Sequence, residues 1–315
     1  MRIKDSRFAK LRVFRRARES QDHRKKNLRI SDNHANRWLY PKSDMLFLIP
    51  QLAGFSLFYV YAFLLTLRYS VLENNAQKVF VGLKHYINVI ENPYFQLAFL
   101  NTIKFSVISV LLSLALGYGL SLLVFWHPCF KWITNLGLFA LFLPTSALMM
   151  IWRILMSDHG TLANNLYTVL PRVFSSQMWP GFSLYIFFLW RYLGISVLVY
   201  FNGLVRIEQG IIESATIEGA GGWLISWRIL LPLLRRTTMF NMVYMTVCSL
   251  RMFREVYLLY GAYPPQDLYF VQHYLNNHFV RLNYQRLSAA AVLLAVLLSL
   301  VFMLLINAFQ KRERL

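Results

Sequence analysis

Six apolar stretches constrain this chain more than any other feature, because each is close to the roughly 20 residues that a helix needs to cross a bilayer. Their approximate bounds are 45–67, 102–125, 136–155, 181–201, 233–259 and 289–309. None shows the strict apolar–polar alternation of a barrel strand, and in lipid the backbone polar groups of an isolated segment can be paired only within a helix. We therefore predict an all-α membrane protein, a bundle of six transmembrane helices.

Composition agrees with this class. The chain is 57% hydrophobic and only 15% charged, with a mean hydropathy of +0.42, whereas soluble domains are about one-quarter charged. Two cysteines, Cys129 and Cys248, offer neither a disulfide framework nor metal-ligand spacing. We expect no cofactor and no metal in this chain. The aromatic residues near span ends, among them Trp126, Trp132 and Trp152, are expected to anchor at the membrane interface.

The distribution of basic residues predicts the orientation. The net charge is +19, which alone would suggest nucleic acid. If the N-terminus is cytoplasmic, 22 Lys and Arg residues lie inside, 14 of them in the basic tail 1–44, and six lie in the outer segments 69–101, 156–180 and 260–288. This asymmetry fits the positive-inside rule. We expect a multi-pass protein of the bacterial inner membrane with both termini cytoplasmic and no nucleic-acid partner.

The segment 207–232 interrupts the apolar pattern on the cytoplasmic side. Its first part is rich in Glu at about helical spacing, and Gly219, Gly221 and Gly222 follow. Glycine permits the left-handed backbone that ends many helices. Pro232 stops or kinks the helix that follows the corner. We predict a stiff helical hairpin, which could lie on the membrane without a partner or could transmit force from a partner protein.

The residues of this hairpin resemble a known motif. Glu213-Ser214-Ala215-x-x-Glu218-Gly219-Ala220, followed without gaps by Ile229-x-Leu231-Pro232, is similar to the EAA loop of binding-protein-dependent ABC importer permeases. Segments such as VGLKHYINVIENPYFQLAFLNTIKFS and LPTSALMMIWRILMSDHGTLANNL resemble the maltose-type, carbohydrate-uptake branch. The resemblance covers the chain from about Asp44 onward. It departs from the family pattern at Ser214, Glu218 and Arg236, and at residues 261–265 after span five.

The resemblance implies a type I ABC importer permease domain over 45–315, forming half of a translocation pathway for a sugar or oligosaccharide. It implies a second permease subunit, two cytoplasmic ATP-binding subunits that hydrolyse ATP, and an extracytoplasmic solute-binding protein. The chain itself is then not an enzyme. The ATPase-coupling residues carried over from the motif are Glu213, Ser214, Ala215, Glu218, Gly219, Ala220, Ile229 and Pro232.

Charged and aromatic residues within spans four and five are the candidates for the solute pathway. Charge inside a membrane is costly and requires a partner or a water-filled path. The family resemblance places the matching stretches at the solute cavity. The candidates are Trp190, Arg191, Tyr192, Arg251, Arg254 and Glu255. The alternative is a structural Arg251–Glu255 pair at i,i+4, with Arg191 extending to the interface.

Two other classes remain as alternatives. A secondary transporter would show paired inverted halves and a titratable site within its spans, and neither is evident. A membrane-embedded enzyme would need a dense cluster of Asp, His or Cys, whereas His85, His159, His273 and His278 are scattered. The phosphate-loop pattern G-x-x-x-x-G-K-[ST] is absent from the sequence, so the chain is not expected to bind ATP through such a loop.

Overall fold

The structure is a computed structural model that describes residues 42–73, 79–156 and 179–311. Most of the predicted basic tail and of the outer segment 156–180 lies outside these residues. Over the described residues the regular structure is helical, apart from one bridge between Leu72 and Phe80. The described residues up to Leu65 belong to one unit and those from Thr66 to a second, and the account below concerns the second unit unless stated.

The helices are numbered in chain order. They are α1 (Lys42–Phe55), a π-helical turn (Ser56–Tyr61), α2 (Ala62–Ser70), α3 (Lys84–Ile90), α4 (Pro93–Trp126), a 3-10 turn (Pro128–Lys131), α5 (Trp132–Phe142), α6 (Thr145–Met156), α7 (Trp179–Val205), α8 (Gln209–Ile217), α9 (Gly222–Leu224), a π-helical turn (Ile225–Leu230), α10 (Leu231–Leu233), α11 (Arg235–Leu250), α12 (Phe253–Tyr260), a 3-10 turn (Gln266–Leu268), α13 (Val271–Val280) and α14 (Tyr284–Lys311).

Among the described residues, four continuous helical stretches are long and apolar enough to cross a membrane. They are Leu48–Ser70, Pro93–Trp126, Pro180–Val205 and Tyr284–Asn307. These stretches overlap the first, second, fourth and sixth apolar runs of the sequence. The predicted span boundaries themselves remain predictions.

The third and fifth apolar runs are each divided into two shorter helices. Pro144 separates α5 from α6, and Leu143 before it has extended backbone, φ −76° and ψ 137°, as the residue preceding a proline prefers. The fifth run is divided by a turn at Arg251 and Met252, between α11 and α12. Side chains before and after such a turn no longer follow one helical period.

The helix α7 lies at the centre of the packing. It contacts α4, α5 and α11, and α12 packs on α6. Its side chains Phe187 and Phe188 are completely buried in an apolar core shared with α4, α6 and α11. Trp152 belongs to this core, at 8% exposure, because it packs edge-on against Phe187 with ring centroids 5.2 Å apart. The expectation that Trp152 anchors at the interface is therefore wrong.

Two glycines bring α5 and α7 into backbone contact. A Cβ atom built on Gly194 would lie 2.1 Å from the carbonyl oxygen of Gly137, and one on Gly137 would lie 2.7 Å from the Gly194 Cα. Helices in membranes often pack through small residues, since close approach maximises dispersion contacts. The close contact is with backbone atoms, which cannot rotate away as a side chain can.

We predict that Gly194→Ala destabilises the protein by about 1–3 kcal/mol, the usual range for overpacking. Thermal unfolding of the detergent-solubilised protein should show a lower midpoint. Gly119→Ala is the matched control, because that helical glycine of α4 has open space where a Cβ would stand. Equal melting temperatures for the two variants would contradict the proposed backbone contact.

Candidate functional site

The predicted hairpin has its corner at Gly219. Helix α8 ends at Ile217, and Gly219 takes the left-handed conformation, with φ +87°. The Gly219 N–H donates to the Thr216 carbonyl at 3.0 Å, and the Ala220 N–H donates to the Ala215 carbonyl at 3.0 Å. These two bonds form a Schellman motif, which pairs the last carbonyls of a helix and favours glycine at this position. A Cβ atom at position 219 would meet no neighbouring atom. Glycine is therefore favoured here by the left-handed backbone conformation and not by lack of space.

The second arm of the hairpin contains a π-helical turn before Pro232. The Leu231 N–H donates to the Ser226 carbonyl, five residues earlier, instead of to the carbonyl four residues earlier. Pro232 has no N–H to continue an α-helical ladder, and its ring clashes with the carbonyl four residues before it. The wider turn accommodates this conflict and reorients the chain into α11.

The inner face of the hairpin packs on the long helices. Ala215, Ile225 and Leu230 are buried in one apolar cluster with Tyr118 of α4 and Tyr200 of α7. The Tyr118 hydroxyl also donates a hydrogen bond to the Ser226 carbonyl. Its ring contacts Tyr200 and Trp227 edge-on, with centroids 5.5 Å and 5.7 Å away. Tyr118 was not among the predicted site residues, because its contacts join segments about one hundred residues apart.

The outer face of the hairpin exposes large apolar side chains. Ile217 is 87% exposed and Trp223 is 78% exposed. The carboxylates of Glu213 and Glu218 are exposed beside them. An apolar patch with adjacent charge at the tip of a rigid element is typical of a protein-binding surface. The sequence signal for Trp223 was available, since it directly follows the glycines of the corner.

The structure brings the predicted coupling residues onto this one hairpin but divides them by burial. Ala215 is buried, and Ala220 and Ile229 are partly buried against the bundle. The exposed members are Glu213, Ser214, Glu218, Gly219 and Pro232. The Ser214 hydroxyl donates back to the Gly210 carbonyl at 2.8 Å. The exposed and buried members thus suit two tasks, contact with a partner and attachment to the spans.

The predicted pathway residues divide in a similar way around a buried ion pair. Arg191 and Glu255 are 8% and 3% exposed, and Arg191 Nη1 lies 3.6 Å from Glu255 Oε1. Arg191 Nη2 donates to Thr145 Oγ1 at 2.9 Å. The pair joins α7 to α12, and the hydroxyl adds α6. Glu255 therefore pairs with Arg191, in place of the Arg251–Glu255 pair that the alternative interpretation assumed, because the turn at Arg251 interrupts the helical period.

Spare hydrogen-bonding capacity remains at this pair. Within the described residues, Arg191 Nε and Nη1 and Glu255 Oε2 are buried without a hydrogen-bond partner. The guanidinium also lies 5.7 Å from the ring centre of Tyr192 and 6.0 Å from that of Phe187. Buried polar atoms without partners are costly and accept water or a ligand group readily.

The remaining pathway candidates are more accessible. Arg251 is exposed in the turn between α11 and α12, and Arg254 is exposed at the start of α12. Trp190 is 46% exposed and stacks on Trp152, with centroids 6.2 Å apart and planes 17° apart. Tyr192 is buried, at 9% exposure. The accessible residues could meet a solute directly, whereas the ion pair holds the helices that carry them.

A family model described as "Binding-protein-dependent transport system inner membrane component" matches residues 128–315. This match covers more than half of the chain and includes both the hairpin and the ion pair. The chain belongs to this permease family. It is accordingly a multi-pass membrane component of a binding-protein-dependent importer and not an enzyme, and ATP hydrolysis resides in a partner subunit.

Individual proteins similar to this permease are also components of ABC-type or sugar transport systems. The arabinooligosaccharides transport system permease protein AraP of Bacillus subtilis (strain 168) is 28% identical over 240 residues, 71% of this chain and 74% of AraP. A crystal structure of a bacterial ABC transporter involved in the import of the acidic polysaccharide alginate contains a chain with a TM-score of 0.73 and 19% identity. The match covers 90% of this permease and 99% of that chain.

A second structure shows the bacterial alginate ABC transporter in complex with an alginate pentasaccharide-bound periplasmic protein. Its matching chain has a TM-score of 0.70 and 22% identity, over 86% of this permease and 96% of that chain. These likenesses establish the type I importer permease fold. The prediction of an all-α membrane bundle of this type is confirmed.

We predict that removing one member of the ion pair destabilises the permease more than removing both. Arg191→Met leaves the Glu255 carboxylate buried and unpaired, a cost of about 3–5 kcal/mol. The double variant Arg191→Met/Glu255→Leu should recover much of this loss, as measured by thermal unfolding in detergent. Arg254→Ala, at an exposed arginine nearby, should change the midpoint little. Additive losses in the double variant would show that the two groups do not interact.

Proposed function

We propose that this permease forms half of the pathway of a sugar or oligosaccharide importer and is driven by an ATPase that binds its hairpin. The hairpin is the observation that carries the proposal. Its corner is fixed by the Schellman motif at Gly219, its inner face is buried against α4 and α7, and its outer face exposes Ile217 and Trp223. A rigid element attached on one side and apolar on the other can transmit a partner's displacement to the spans.

The substrate class is supported by the relatives and by the side chains near the ion pair. AraP is named for arabinooligosaccharides, and the two structural neighbours for alginate. Aromatic faces suit sugar rings, and arginines suit hydroxyl and carboxylate groups. In this proposal Trp190, Arg251 and Arg254 border the solute, while the pair of Arg191 and Glu255, with Tyr192, positions the helices around it. The arginines favour an anionic sugar over a neutral one.

The proposed assembly places the hairpin and both termini in the cytoplasm. It contains a second permease subunit, giving a heterodimer, with two ATP-binding subunits inside and a solute-binding protein outside. The charge asymmetry of the sequence supports this orientation. We further propose that the chain carries no cofactor of its own, so that energy reaches it only through the hairpin.

Gly219→Val should weaken attachment of the ATPase subunit, because a β-branched residue strongly disfavours the left-handed backbone of the corner. Co-purification of the ATPase and transport-coupled hydrolysis should both fall. Glu213→Lys should have a similar effect through its reversed charge.

Gly221→Val is the control for Gly219→Val. Gly221 also has open space, but its φ of −70° is allowed for any residue. An intact complex with coupled hydrolysis in both Gly219→Val and Glu213→Lys would overturn the proposed role of the hairpin.

Arg254→Ala should raise the KM for uptake about tenfold, the effect of losing one charge-assisted hydrogen bond to the solute. Uptake can be measured in proteoliposomes with labelled arabino-oligosaccharide and alginate oligosaccharide. Arg153→Ala is the control, since that arginine is also exposed, on α6, and was not assigned to the pathway. Unchanged KM and maximal rate at normal expression would remove Arg254 from the site.

A further inference from the structure

A polar cavity of ≈ 480 Å³ lies apart from the proposed solute pathway. One wall comes from the residues around the start of α4, among them Asn92 and Tyr94. The other walls come from the segment between α12 and α14, which includes Tyr263, Arg281 and Arg286. Both parts belong to segments that the charge distribution places outside the membrane. None of the six pathway candidates lines this cavity.

The cavity concentrates positive charge without a matching acid. Arg281 and Arg286 line it, and no Asp or Glu is among its described lining residues. Burial lowers the pKa of His278, and the positive charges of Arg286 and Arg281 lower it further. Histidine is therefore neutral here near pH 7, and the charge comes from the two guanidinium groups. Two arginines that face one cavity without a carboxylate are a suitable receptor for an anion.

Further polar groups are arranged around the arginines. Arg281 Nη2 donates to Tyr263 Oη at 2.9 Å, which holds one guanidinium at the rim. Tyr274 is 3% exposed, and its hydroxyl has no hydrogen-bond partner within the described residues. The ring of Tyr274 contacts His278 at 4.4 Å between centroids. A buried hydroxyl that has no partner among the described residues, in a cavity lined by two arginines, can donate a hydrogen bond to an anion.

The turn after α13, at Leu282, lies between the two arginines. Leu282 has φ +56°, and its N–H donates to the Phe279 carbonyl at 3.0 Å. The Asn283 N–H donates to the His278 carbonyl at 2.9 Å, which closes α13 in a tight turn and directs the chain into α14. The bonds from Leu282 and Asn283 form a Schellman motif like the one at Gly219, so the end of the helix explains the left-handed residue.

We propose that this cavity receives an acidic side chain, Asp or Glu, of the extracytoplasmic solute-binding protein. The inference rests on the proposed function, which supplies that partner. A carboxylate would bind Arg281 and Arg286, and the tyrosines would surround it. Tyrosine and arginine are the residues enriched at the energetic centres of protein interfaces. A solute in transit is the weaker occupant, because the cavity shares no residue with the pathway.

Neutralising the arginines tests the proposal. In proteoliposomes with the assembled importer, Arg281→Gln and Arg286→Gln should each raise, by about tenfold, the concentration of binding protein that half-maximally stimulates ATP hydrolysis. The KM for solute at saturating binding protein should not change. Lys84→Gln is the control, because Lys84 lies on the same predicted side, and its partner Glu73, 3.0 Å away, is also solvent-accessible.

A crosslink tests the partner directly. Arg281→Lys places an amine at the rim, and a carbodiimide joins amines to carboxylates without a spacer, whereas arginine does not react. We expect a covalent product between Arg281→Lys and an Asp or Glu peptide of the binding protein, identified by mass spectrometry. The unaltered chain should give no product at position 281.

The outcomes separate the hypotheses. Weaker stimulation in the arginine variants alone, together with the crosslink, supports the docking site. Selective loss of anionic-solute uptake without a change in stimulation would make the cavity a solute site and overturn the proposal. Unchanged stimulation in both arginine variants would also overturn it. If hydrolysis by the unaltered importer does not respond to binding protein at all, the proposed function itself fails.

Discussion

The hydrogen bond from Tyr118 to the Ser226 carbonyl joins the hairpin 207–232 to the long helix α4. The same carbonyl accepts the Leu231 N–H of the π-helical turn, so the bond depends on the local widening before Pro232. Tyr200 and Trp227 enclose the phenol ring. A partner that displaces the hairpin must either move α4 with it or expose this aromatic cluster. The first course costs less, since burial of each large ring contributes roughly 1.5–3 kcal/mol.

Helix α7 extends this attachment toward the ion pair. Leu204, fully buried, lies in the cluster beneath the hairpin, and Arg191 lies 13 residues earlier on the same helix. At a rise of 1.5 Å per residue the two are about 20 Å apart. Between them, Ser196 accepts a hydrogen bond from Asn241 of α11 at 2.7 Å and donates to the Ser113 carbonyl of α4 at 2.9 Å. One continuous helix thus contacts the hairpin, the neighbouring helices α4 and α11, and Glu255 through Arg191.

Much of this arrangement could be predicted from sequence because it follows from local rules. The apolar runs identify a membrane bundle, and the glycine after Glu218 predicts the corner, since a Schellman motif is decided by a few neighbouring residues. Pairings between distant segments could not be read in this way. The i,i+4 relation of Arg251 and Glu255 assumes a continuous helix, and the turn at Arg251 removes it. Glu255 instead meets Arg191, 64 positions earlier in the sequence.

Contacts between distant segments also explain why the sequence did not predict the positions of Trp152 and Tyr118. A tryptophan near the end of an apolar run resembles an interfacial anchor, but the break at Pro144 makes α6 a separate short helix whose tryptophan packs on Phe187. Tyr118 looks like an ordinary residue of a long span until the hairpin folds back onto it. Both errors come from treating each run as an independent straight helix. Pro144 before α6 and Pro232 at the end of the hairpin redirect the chain, and so change which helix faces pack together.

The ion pair between Arg191 and Glu255 does not use all of its hydrogen-bonding groups. At 3.6 Å the Arg191–Glu255 contact is longer than a hydrogen bond, and Glu255 Oε2 has no partner within the described residues. A bidentate pair in a low-dielectric interior would hold α7 and α12 firmly together. A looser pair with spare donors and an acceptor can exchange its contacts for water or a solute hydroxyl. In the proposed pathway, separation of α7 from α12 would then exchange one set of hydrogen bonds for another and would leave neither buried charge without a partner.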